Sequence, residues 1–194
     1  MTQALLVMDV QRGIVARYAD DHEYLPRLRK AIDGARAAGI PVIYVRVGFR
    51  AGHPEISARN KSFSAHAGSG GFVIGEPSTE VQPEVAPLPG EPVVTKRRIS
   101  AFAGSDLDVV LRAGGIDSLV LAGISTSGVV LSTLRQAADL DFRLAVLSDG
   151  CLDADPEVHR VLTEKVFPRQ AEVTTIEGWL ASINAPVSDP VTAG

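Results

Sequence analysis

Apolar residues fall into two patterns that alternate along the chain. The first is the unbroken run. Ala4-Leu5-Leu6-Val7-Met8 contains no polar position and stops at Asp9. Such a run suits a strand covered on both faces, as in a parallel sheet. Val42–Val47, Val93-Val94-Thr95, Leu119–Ala122, Phe142–Leu147 and Ala171–Thr175 repeat the pattern and predict five further strands. The second pattern is helical. Leu25, Leu28, Ile32 and Ala35 recur at helical spacing between Glu23 and Ala38, with Pro26 in the first turn and Gly39 after the last. Ser105, with Asp108 in a capping-box relation, predicts a helix closed by Gly114-Gly115. Val130, Leu134 and Ala137 mark another, starting by about Ser127. Asp155-Pro156 opens a helix through Val158, Val161, Leu162 and Val166 that Pro168 stops, and a short one holds Trp179.

Strand–helix–strand alternation predicts an α/β fold, a doubly wound and mainly parallel sheet of about six strands with helices on both faces. One domain is expected over residues 1–184, with 185–194 as a tail. Gly48 to Pro92 breaks the rhythm. It is rich in Gly, Pro and Ser, and a loop of that length in a compact domain is expected to serve function, here as a lid over a ligand edge.

Charge and composition narrow the classes. A net charge of −4 argues against a nucleic-acid surface, and no apolar run approaches membrane-spanning length. The one cysteine, Cys151, excludes an internal disulfide and fits a reducing cytoplasm. No basic, apolar leader precedes the first strand. His53 and His66 are too widely spaced for a metal motif and read as surface or pocket-rim residues. Neither a metal nor another cofactor is expected.

The chemistry gathers where strands end. Asp9, Lys96 and the turn Gly123–Ser127 each follow a strand, and in open parallel sheets ligands bind outside the carboxyl ends. The hydroxyls of Ser125, Thr126 and Ser127 line a turn that opens a helix. Free amides there would make an oxyanion site, or one hydroxyl would simply cap the helix. Arg97 and Arg98 follow Lys96 and would hold a substrate carboxylate, or form a solvated pair.

In LLVMDVQ (Leu5–Gln11), TKRRISAF (Thr95–Phe102), AGGIDSLVLAG after the Ser105 helix, and ISTSGVVLST, the chain resembles the isochorismatase-like superfamily, or cysteine hydrolases. That group includes nicotinamidases, N-carbamoylsarcosine amidohydrolases and isochorismatases. The resemblance implies catalytic roles for Asp9 and Lys96. It implies substrate or oxyanion roles for Gln11, Phe102, Ile124, Ser125, Thr126, Ser127 and Gly128, and a cis peptide between Ile124 and Ser125. The family's nucleophilic cysteine falls at Val129, and valine forms no acyl intermediate. Cys151 follows a different strand and reads as a small buried residue.

Three functions follow. The first is cysteine-free hydrolysis of a small molecule, with Asp9 as general acid on an enol ether. The second is a C–N hydrolase using water or a serine of the turn. The third is a degenerate relative that only binds a small molecule or a partner. A homodimer or homotetramer is implied by the resemblance.

Overall fold

The computed structural model describes residues 2–18 and 21–185, apart from the side chains of residues 66, 68 and 69. The tail expected at 185–194 lies, from residue 186 onward, outside the described residues, as does the side chain of His66.

In chain order the elements are β1 (Gln3–Met8), α1 (Arg12–Val15), α2 (Tyr24–Ala37), β2 (Val42–Val47), α3 (Ser64–Ser69), β3 (Val93–Lys96), α4 (Leu107–Ala113), β4 (Ser118–Ile124), α5 (Leu131–Asp139), β5 (Arg143–Leu152), α6 (Pro156–Val161), β6 (Glu172–Thr174) and α7 (Ile176–Asn184). The six strands form one parallel sheet in the order β3-β2-β1-β4-β5-β6. The order reverses between β1 and β4. That reversal opens a crevice at the carboxyl ends of both strands.

Alternate residues of each strand feed opposite cores. Ala4, Leu6 and Met8 of β1 join Leu107, Leu111 and Leu134 of α4 and α5 on one face. Leu5 and Val7 join Leu28, Ile32 and Trp179 of α2 and α7 on the other. Coverage on both faces is why these strands read as unbroken apolar runs.

Three elements differ from expectation. The helix expected from Ser105 begins at Leu107. Ser105 Oγ accepts from Leu107 N at 3.3 Å, and Asp108 pairs with Arg112 rather than closing a capping box. β5 does not stop at Leu147. Its register against β4 slips between Leu121 and Gly123, so Ser148–Cys151 stay in the strand as a bulge. The loop 48–92 carries α3 and is stapled at its neck, where Phe49 N donates to Phe72 O and Ile74 N donates to Phe49 O, both at 2.9 Å.

Candidate active site

Asp9 is the first residue past β1. Its φ of 56° lies in the left-handed region, which Asp tolerates better than most residues, and its amide still donates to Val45 O at 2.8 Å. Lys96 ends β3, two strands away. Its ammonium crosses the end of β2 to Asp9 Oδ2 at 2.8 Å and also donates to Arg98 O at 3.0 Å. Both side chains are buried, exposed by 8% and 2%. Asp9 Oδ1 has no hydrogen-bond partner among the described residues. Burial pushes the Asp9 carboxyl above its ordinary 3.8, and Lys96 only partly offsets it.

The third wall is the turn after β4. Gly123 faces Met8 across the switch point with φ 142°, and a Cβ there would come within 2.1 Å of Met8 O. Only glycine lets the two backbones approach this closely. The Ile124–Ser125 peptide is cis. Residues Thr126–Val130 then form a widened helical turn in which Gly128 N and Val130 N both donate to Ser125 O at 3.2 Å. Gly128 leaves room for the Ser125 hydroxyl, since a Cβ there would stand 2.6 Å from Ser125 Oγ.

Together these elements enclose a cleft of about 220 Å³ lined by Asp9, Lys96, Ile124, Ser125, Gly128 and Val129 among the expected residues. Val129 is buried and faces the same cavity as Asp9 and Lys96. The rest of the lining carries no sequence signal. Ile14, Arg17 and Tyr18 come from the short helix after Gln11 and the turn that follows it. Val47 ends β2, and Ile99 follows Lys96. Ser62, Phe63 and Phe72 come from the long loop, part of which therefore lines the cleft. GIVARY is too short to display a period, and that loop has none.

Four of the expected substrate or oxyanion residues lie elsewhere. Gln11 is fully buried beneath the cleft. Its amide donates to Val47 O at 2.9 Å and Thr79 O at 3.1 Å, and accepts from Val47 N at 2.8 Å, leaving little capacity for a ligand. Phe102 packs against Phe142 in the α4–α5 core. Thr126 is buried with Oγ1 2.8 Å from His159 Nδ1, turned towards α6. Ser127 is exposed, and its amide is taken by Asp153 Oδ2 at 2.7 Å. The Ser127, Gly128 and Val130 amides are engaged within the chain, so an anion at the turn would not be met by these three donors.

Arg97 and Arg98 do not line the cleft and are not a solvated pair. They fasten the long loop, Arg97 Nε to Glu55 Oε1 at 3.3 Å and Arg98 Nη2 to Glu55 O at 3.0 Å. His53 is not a rim residue. It is buried, with Nε2 2.8 Å from Gly71 O inside the same loop. Among the described residues no three His, Cys, Asp or Glu side chains converge as a metal site would require. Cys151 is buried in β5 beside Gly123, and burial pushes its thiol up to about 12. Burial in apolar surroundings disfavours the thiolate form there.

Comparison with known proteins finds relatives along most of the chain. Residues 3–178 match the isochorismatase domain. The uncharacterized isochorismatase family protein YecD of Escherichia coli O157:H7 is 35% identical, covering 91% of this chain and 93% of its own. The ureidoacrylate amidohydrolase RutB of Stutzerimonas stutzeri strain A1501 is 32% identical, covering 94% and 80%. The solved structure of an isochorismatase family protein from Desulfovibrio vulgaris superposes with a TM-score of 0.85 at 26% identity, covering 95% of this chain and 99% of that one.

Proposed function

Because the chain belongs to the isochorismatase family of hydrolases, we propose that it cleaves a small molecule by proton transfer at Asp9, without a covalent cysteine intermediate. The observation that carries the reading is Val129. An isopropyl group lies on the cleft wall shared with Asp9 and Lys96, while the chain's one thiol is buried in β5 with its pKa raised. The substrate best matched to such a wall is an enol ether. Asp9 delivers a proton to the vinyl carbon and an oxocarbenium ion forms. Water adds to that ion and returns a proton to Asp9. The resulting hemiketal collapses to a carbonyl compound and an alcohol. Burial beside Val129 favours the neutral acid before transfer. Lys96, 2.8 Å away, stabilises the carboxylate after it.

A second reading has Asp9 ionised at rest, as base for a water that attacks an amide carbonyl carbon, the C–N bond then breaking as the amine takes the proton back from Asp9. The Asp9–Lys96 contact favours it, and so does the amidohydrolase name of the RutB relative.

The test is turnover of isochorismate and of a panel of small amides by wild type and by Asp9→Asn. Removing the acid should cost roughly 10²–10⁴-fold in kcat. Pretreatment with iodoacetamide should leave turnover unchanged, and its loss on alkylation would restore a cysteine mechanism. The pH profile separates the two readings. A general acid loses activity as pH rises through the raised Asp9 pKa, whereas a general base loses it as pH falls through that value. Turnover of amides alone, falling on the acid side, would sink the enol-ether reading.

A further inference from the structure

We infer that Arg17 is the specificity-determining residue of the cleft and that it selects substrates carrying a carboxylate. The assignment rests on reading the cleft as the hydrolytic site. Three side chains of acidic or basic character meet in the lining, namely Asp9, Lys96 and Arg17. Lys96 is committed to Asp9 and to Arg98 O. Arg17, exposed beside Tyr18, makes no ion pair or hydrogen bond among the described residues.

The neighbouring arginines differ. Arg12 pairs with Glu80, while Arg50 and Arg97 both pair with Glu55. Asp153 is the acid whose charge reaches Tyr18, but it is already used. Its Oδ2 accepts from Ser127 N at 2.7 Å and its Oδ1 from Asp155 N at 3.4 Å. A cation without a partner among the described residues, on the wall of a cavity in a chain of net charge −4, is placed to receive an anion.

The remaining lining specifies the rest of the ligand. Ile14, Ile99, Phe63, Phe72 and Val129 offer apolar surface, and the cavity admits only a small molecule. A guanidinium takes a carboxylate through two parallel N–H···O bonds, which an ammonium does not reproduce. The ligand is therefore a small acid with an apolar body. Its carboxylate sits at Arg17 and its reacting end at Asp9. The arrangement also couples binding to chemistry, because an anion brought into the cleft makes ionisation of Asp9 less favourable and helps it keep its proton.

The experiment compares benzoate with benzamide, and pyruvate with pyruvamide, as ligands of wild type, Arg17→Gln, Arg17→Lys and Asp9→Asn, by calorimetry. Wild type should prefer each acid by roughly tenfold or more, the size expected of a charge-assisted pair. Arg17→Gln should erase that preference and leave binding of the amides unchanged, with Arg17→Lys between the two. Asp9→Asn should keep the preference while losing turnover. Failure of the proton-transfer mechanism would thus appear in turnover alone, and failure of this assignment in the acid-to-amide ratio. An unchanged ratio in Arg17→Gln, or none in wild type, overturns the inference.

Discussion

In the proposed mechanism, Val129 is where one residue divides two chemistries. Its side chain stands on the wall it shares with the Lys96 ammonium, a neighbour that depresses a thiol's pKa when a thiol is present. Val129→Cys should therefore yield a reactive cysteine. Mass spectrometry after iodoacetamide should find the introduced thiol labelled well before Cys151, whose own thiol is held near 12. No labelling at the introduced thiol would mean that the position is closed to the cleft in solution. Asp9 and Lys96 were legible in the sequence because each interrupts an apolar run at its carboxyl end, and such interruptions in a parallel sheet share one edge. Gln11 and Phe102 lie off the cleft for a common reason. A motif gives the order of residues, not the direction each side chain takes. Gln11 turns under the cleft to replace missing backbone partners, and Phe102 turns into the core.

Among the elements, the strands and long helices followed from periodicity, and the pieces that complete the cleft did not. Residues 12–18 and α3 are too short for a period, and their positions depend on tertiary contacts. One tertiary contact beside residues 12–18 is made by Gln11. Its amide ties β2 to the loop at Thr79, and it is buried throughout. Gln11→Ala would strand Val47 N, Val47 O and Thr79 O. We expect a loss of about 2–4 kcal/mol in urea unfolding, the range for buried polar groups left without partners. Hydrogen exchange should quicken at Val47, and a variant with wild-type stability would show that water replaces the amide. The bulge in β5 was hidden for another reason. Asp149-Gly150 looks like a turn in sequence, but Tyr24 Oη donates to Gly150 O at 3.3 Å and Arg27 Nε to Asp149 O at 3.3 Å, which holds the segment in the sheet.

At the scale of the molecule, strand order decides which residues can meet. The order 3-2-1-4-5-6 brings the ends of β1 and β4 together at the switch point, with β3 within reach of a lysine side chain. The meeting leaves two ionisable groups in the interior, and stability should respond to pH accordingly. Lys96→Met removes the group that draws the Asp9 pKa down, so that pKa should rise further above 3.8. A carboxyl whose folded pKa is raised contributes stability fully below its unfolded value and loses it as pH rises through the folded one. Lys96→Met should thus cost about 3–5 kcal/mol at neutral pH and much less near pH 4, as read by urea melts at the two pH values. Equal losses at both would mean that Asp9 is not the group responding. Replacing both partners is a different case, because no charge is then left buried. Asp9→Leu with Lys96→Met should melt as high as wild type or higher, by up to about 4 kcal/mol, while hydrolysing nothing. Selection for folding alone would favour that hardier sheet edge. On the proposed mechanism, a chain that retains the pair gives up robustness for turnover, and its heat tolerance is bounded by its own catalyst.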